Sequence, residues 1–350
     1  MSEEGSKKMI QKIIKWSLDN RLLITIFGLV IFVSGIIFAH DVPIDILPEF
    51  APTQVVVQTN APGLAAEEVE SIVTIPLETA LSGMPRVQVI RSSSIEGLSF
   101  ITVVFDWGTD IFIARQFVTE KIQNVASRFP SNIRPPFLSP ITAPIGGVYF
   151  FALTGKNTPL IDLRTYADWE IRNKLLSIPG VAKIEVYGGD LKQYQVLVDP
   201  IKLRQYNISL NQVITASDES NVIVGGGYLV QGDREYLIRG IGRIQSIEDL
   251  KNSVITEKNG IPVYLKDIAK VKIGAAFKRS YGSVDGREAV IIKVSKQPWV
   301  NTVRLNEKII QAINDLKKTL PKDIKTTQTY NQSDFVNVSI KNILSAILQG

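Results

Sequence analysis

The sequence predicts an α+β membrane protein: one N-terminal transmembrane helix, then two units built from β-α-β segments, the second split by a β-rich insertion. Three observations carry this reading. Residues 22–39 form a run of 18 without a charge. The apolar positions Val118, Ile122 and Val125 recur 191 positions later as Ile309, Ile313 and Leu316, each set marking one buried helix face after a strand pattern. Residues 183–273, inside the second unit only, read mostly as strand and turn.

The apolar run comes first. As a helix it spans roughly 27 Å, close to the ~30 Å hydrocarbon core of a bilayer. Lys7, Lys8, Lys12, Lys15 and Arg21 precede it, and the next basic residue is Arg86. Lys and Arg concentrate on the cytoplasmic flank of a span, so the N-terminus reads as cytoplasmic and Asp41 onward as exported. A secretory signal peptide is the competing reading. Its apolar stretch is typically about 7–15 residues and ends in small residues, and "IIFAHDV" offers no such cleavage site. An uncleaved anchor is the better match.

The exported part is too long for one compact domain, so two or more are expected. The chain has no Cys, which removes disulfide scaffolds and thiolate metal sites without choosing a compartment. Its net charge of +5 comes from 39 basic residues interleaved with 34 acids, with no arginine-rich helix or aromatic–basic stripe. Nucleic acid is therefore not an expected partner.

Within the exported part, "AAEEVESIVTIPLETALSGMP-RVQVI" and "DLRTYADWEIRNKLLSIP-GVAKIEV" each read helix, proline, strand, with Pro85 and Pro179 at the break. "TQVVVQT" and "VYFFALTG" supply the strands before them, while "LSFITVVFDWGTD" and "EAVIIKVSKQ" open the second β-α-β of each half. Each half is thus β-α-β twice over, the split ferredoxin-like arrangement. In the insertion, "NVIVGGGYLV-QGD-REYLIRG" predicts a hairpin turning at Gln231-Gly232-Asp233. The glycines Gly225, Gly226 and Gly227 are a poor phosphate loop, because no Gly-Lys-Ser/Thr follows and no helix opens there. From Val336 a new helical pattern runs through Ile340, Ile343, Leu344, Ile347 and Leu348 to the last residue, so a truncated chain is expected.

Catalytic chemistry is missing. The one His, His40, sits at the end of the apolar run, which leaves no Ser–His or Cys–His pair. One His and three Met make no metal constellation. Glu67, Glu68 and Glu70 open a helix, where acids favour the positive end of the dipole. No enzyme activity and no cofactor are expected.

The order of parts resembles the first third of a resistance-nodulation-division (RND) efflux permease. "PIDILPEFAPTQVVVQTNAPG", "TIPLETALSGMP", "GTDIFIARQFVTEKIQ", "QYQVLVDPIKLRQYNISLNQV" and "GIPVYLKDIAKVKIG" carry the resemblance, and "PLETALSGMP" with "GTDIFIARQ" is most similar to the heavy-metal branch. The resemblance implies a homotrimeric, proton-driven antiporter of the bacterial inner membrane, most of it periplasmic, working with a periplasmic adaptor and an outer-membrane channel. It divides the chain into a tail and span (1–40), a first porter subdomain (41–135), a second (136–182 and 274–333), a docking insertion (183–273) and an amphipathic helix (334–350). "DVPIDILPEF", residues 41–50, becomes the proline-stiffened exit from the span. The hairpin residues Val222, Val224, Leu229, Val230, Gly232 and Leu237 would meet a neighbouring protomer. Ala143-Pro144 departs from the family's small, flexible pair, and the family's metal-binding methionines and relay acids have no counterpart in these 350 residues. A drug or lipid exporter of the same superfamily, or an anchored periplasmic module that transports nothing, are the alternatives.

Overall fold

The computed structural model describes residues 14–41, 51–143, 146–222, 224–231, 234–240, 244–258 and 260–349. Helix α1 (Arg21–Asp41) carries the apolar run. Its apolar side chains up to Val33 stand exposed, among them Leu22 at 76% and Phe32 at 69%. Among the described residues no helix is long and apolar enough to cross a membrane. On α1 the described side chains end at Gly35, short of the full run to Ala39.

The first unit is β1 (Gln54–Asn60), α2, β2 (Val87–Ile95), β3 (Leu98–Phe105), α3 (Ile111–Ala126) and β4 (Phe137–Leu138). Helix α2 joins Ala66–Val69, the π-turn Glu70–Thr74 and Ile75–Leu81. Pro76 has no N–H to give the ladder, and the wide turn closes just before it, with Ile75 N–H donating to the Glu70 carbonyl. The sheet order is β2-β3-β1-β4, antiparallel throughout. Alternation buries Val55 and Val57 of β1 and Ile101, Val103 and Phe105 of β3 against two helices. Helix α2 contributes Val69, Val73, Leu77 and Leu81, and α3 contributes Ala114, Val118, Ile122 and Val125.

The second unit repeats the plan with β5 (Gly147–Gly155), α4 (running from Leu160 to Leu176 through a π-turn at Ala167–Ile171) and β6 (Val181–Tyr187). After the insertion it closes with β15 (Val290–Lys296), α9 (Thr302–Thr319) and β16 (Ile324–Asn331). Its order, β16-β5-β15-β6, is that of the first unit position for position. Helix α10 (Gln332–Gln349) leaves directly from the end of β16.

The insertion has its own core, built on Ile208, Val213, Leu250, Leu265, Ile268 and Val271. It pairs β7 (Lys192–Val198) with β12 (Ala269–Ala275) and β10 (Val254–Lys258) with β11 (Ile261–Tyr264). It is less purely strand and turn than expected. Helices α5 (Pro200–Gln205), α6 (Leu210–Glu219), α7 (Ile247–Lys251) and α8 (Leu265–Ile268) join the strands, three of them opened by Asp199, Ser209 and Ser246 caps. Strand β6 crosses the expected boundary at 182/183, and β12 runs past 273 to Ala275.

Between the units the chain is pinned at two nearby points. Ser139 donates its N–H to the Val56 carbonyl at 2.8 Å and accepts from Arg115 on its own carbonyl and from Gln58 on its hydroxyl, both at 2.7 Å. Ala143, buried, donates to the Lys296 carbonyl of the second unit at 3.2 Å.

Candidate functional site

Helices cover one face of each sheet. On the opposite face of the second unit's sheet, Lys293 of β15 pairs across to Phe150 of β5 on one side and Glu185 of β6 on the other. Lys293 Nζ lies 3.1 Å from Glu185 Oε2, and Lys183 Nζ lies 2.8 Å from Oε1. The Lys293 ammonium also stands over the Phe150 ring, 5.9 Å from its centroid. Phe150 is 5.1 Å from Tyr330, and Tyr330 is 5.9 Å from Phe335 at the start of α10. One strip therefore runs from a charged trio, across aromatic rings, to the helix that leaves the unit.

Partial burial pushes the Glu185 carboxyl up, but hydrogen bonds and charge from Lys183 and Lys293 outweigh it and hold it below its ordinary value. Its charge is spent on two lysines, so the trio carries one net positive charge and offers no free carboxylate to a cation. Among the described residues no three His, Cys, Asp or Glu gather closely enough to hold a metal. Glu68 serves its own helix, accepting from the Ala65 N–H at 2.9 Å. A groove of about 660 Å³ separates α2 from α3, with Ile72, Ile75 and Pro76 on one wall and Lys121, Arg128 and Phe129 on the other.

At the exit of the second unit sits a buried polar knot. Asn306 of α9, fully buried, donates from Nδ2 to the Val148 carbonyl at 3.1 Å and to Asn331 Oδ1 at 2.7 Å. That same Oδ1 accepts from the Ser333 N–H at 3.1 Å and the Ser333 hydroxyl at 2.6 Å. Asn331 in turn donates to Asp334 Oδ1 at 2.9 Å. These bonds tie β5, α9, β16 and α10 together.

The hairpin of the insertion forms between β8 (Val224–Gln231) and β9 (Arg234–Gly240), with the register shifted between Gly225 and Tyr228. Val224 stands opposite Gly240, Leu229 opposite Tyr236, Val230 opposite Glu235 and Leu237 opposite Tyr228. Val222 precedes the hairpin and is exposed. Gly232 lies outside the described residues. Sequence reading found this hairpin but missed the strip, whose members meet only once the order β16-β5-β15-β6 is fixed. It also missed the short hairpin of β13 (Ser283–Val284) and β14 (Arg287–Glu288). There the Asp285-Gly286 signal, with φ of 51° and 73°, was in plain view.

Two copies of one unit, one of them carrying an inserted body, define a duplicated α+β scaffold with no catalytic constellation among the described residues. The chain belongs to the AcrB/AcrD/AcrF family, whose sequence profile matches residues 13–350. It is 35% identical over 349 residues to protein HelA of Legionella pneumophila, covering 98% of this chain and 33% of that one. Cation efflux system protein CusA of Escherichia coli K12 is 34% identical, covering 97% of this chain and 33% of its own length. A crystal structure of a heavy metal efflux pump superposes with a TM-score of 0.87 at 30% identity, over 96% of this chain and 34% of that one. The chain thus spans about a third of the length of these relatives.

Proposed function

We propose that this chain is the N-terminal third of a proton-driven RND permease of the bacterial inner membrane that exports heavy-metal cations. The observation that carries the reading is the even likeness to a cation efflux protein, 34% identity across 97% of the chain with the same duplicated fold. Helix α1 is the first membrane span, its uncovered apolar side chains facing lipid. The two units are ferredoxin-like porter subdomains, an assignment supported by the shared order of their antiparallel sheets. The insertion is the docking subdomain. Its hairpin reaches a neighbouring protomer in a head-to-tail trimer, and the trimer works with a periplasmic adaptor and an outer-membrane channel.

Proton coupling needs ionisable groups within the membrane. Residues 22–39 hold only Thr25 and Ser34 as polar side chains. The relay is therefore assigned to other spans of the full permease. A metal-sensitive strain lacking its own pump tests the reading, carrying either these 350 residues or the complete permease gene. Resistance with falling intracellular metal is expected from the complete gene only. No metal resistance from the complete, membrane-inserted protein refutes the cargo, and resistance from the fragment alone refutes the division of labour.

A further inference from the structure

Each unit carries, between its third strand and its second helix, a matching loop whose sequence does not match. In the first, the Asp106 N–H donates to the Arg86 carbonyl at 2.8 Å. In the second, Gln297, 191 positions on, donates to the Gly180 carbonyl at the same distance. Each loop uses two left-handed positions. The first unit fills them with Arg86 (φ 61°) and Gly108 (φ 77°), the second with Gly180 (φ 100°) and Trp299 (φ 60°). Glycine takes such a φ without penalty, whereas a residue with a Cβ resists it, a bulky indole above all. The chain can place glycine at either position, yet at each loop it keeps one large exposed side chain there.

What those loops present is apolar and basic. Trp299 is 67% exposed, Trp107 62% and Phe112 67%, and Arg86, bonded to Asp106 next to Trp107, is exposed too. Trp299 is held firmly for a surface residue. The buried Lys296 donates to the Val300 carbonyl at 3.1 Å, Gln297 is bonded to Gly180, and Asn301 caps α9 by accepting from the Arg304 N–H at 3.0 Å. Asp110 likewise caps α3, accepting from the Phe112 N–H at 2.7 Å.

Both loops lie at the sheet ends nearest in sequence to α1 and α10. β3 ends beside the start of β1, Val104 opposite Gln54, and β1 begins only 12 residues after α1 ends. β15 ends beside the start of β5, which also faces the end of β16, where α10 departs. The pinned segment from Ser139 to Ala143 joins these two ends.

We propose that the Trp107 and Trp299 loops are a second, peripheral membrane contact. Their indoles seat in the headgroup layer of the outward-facing leaflet, with Arg86 reaching lipid phosphate. Tryptophan favours that layer because its ring is apolar and its N–H needs a polar partner, while arginine extends its charge to the headgroups from an apolar stem. The left-handed backbone at Gly108 and Trp299 holds each ring in a set direction on its own unit. The proposal rests on α1 being a membrane span.

The chain has four tryptophans, Trp16, Trp107, Trp169 and Trp299, so four single-tryptophan versions with the others changed to Phe give one reporter each. Each is reconstituted in phosphatidylcholine vesicles brominated either near the headgroup or near the chain end. Trp107 and Trp299 are expected to be quenched more by the shallow bromines than by the deep ones. Trp169, exposed on α4, is expected to show no quenching. Trp16, preceding α1, reports whether the span has inserted. Quenching of Trp16 with Trp107 and Trp299 as silent as Trp169 overturns the proposal and leaves the span intact. A silent Trp16 overturns the span and the proposal with it.

Discussion

Replacing Asn306 by Ala should loosen the second unit by about 2–4 kcal/mol. Its amide nitrogen donates inside the polar knot to the Val148 carbonyl, to Asn331 Oδ1 and, at 3.4 Å, to Ser333 Oγ. A made hydrogen bond is worth roughly 0.5–1.5 kcal/mol net, and a buried acceptor stripped of its donor costs about 1–3 kcal/mol. Asn331 Oδ1 keeps both donors from Ser333, so the larger penalty falls on the Val148 side, with a small cavity added. Ser333→Ala removes one of several donors to the same oxygen and should cost only about 1 kcal/mol. Urea unfolding followed by Trp299 as the single tryptophan reads this unit locally, because the indole stands just before α9. A midpoint shift in Asn306→Ala no larger than that of Ser333→Ala, at equal slope, would show that the knot does not hold the exit of the unit.

Three further outcomes are expected. With no Cys in the chain, Ser2→Cys and Glu96→Cys give clean topology reporters: an impermeant thiol reagent on intact cells should label position 96 and spare position 2, and the reverse pattern overturns the orientation. Gly232→Cys, paired with a panel of engineered cysteines on the full permease, should crosslink into a trimer ladder. An unchanged monomer band throughout the panel counts against hairpin exchange. The Asp323 carboxylate is held below its ordinary value by the Asn157 N–H at 2.9 Å, the Thr158 hydroxyl at 2.9 Å and the Thr158 N–H at 2.8 Å. A depressed carboxylate contributes above its unfolded value and loses that contribution as pH falls through the folded one. Amide protection at Asn157 and Thr158 should therefore drop on acidification, and Asp323→Asn should start lower and stay flat; superimposable profiles would remove Asp323 from that role.

Much of the fold was legible because its signals are local. The spacing of Val118, Ile122 and Val125, echoed at Ile309, Ile313 and Leu316, gave both second helices, and these are the residues that pack in the two cores. The π-turns were not legible. Pro76 hints at one, yet Ala167–Ile171 forms another with no proline, so the cause lies in packing rather than in a single residue. The helices of the insertion were missed although their caps were readable at Asp199, Ser209 and Ser246, because the strand patterns around them dominated. The strip of Glu185, Lys293, Phe150 and Tyr330 draws on four strands spread along the sequence and had no local signal at all.

The pinned segment between the units sets a kinematic limit. Ser139 moves with the first unit and Ala143 with the second, and four steps of about 3.8 Å give the link an upper reach of roughly 15 Å. Pro140, within it, removes part of even that freedom. A tether this short permits rotation and forbids wide separation. Relative motion of the two units is then a tilt about one corner, with the far ends of the two sheets sweeping a greater arc than the pinned ends.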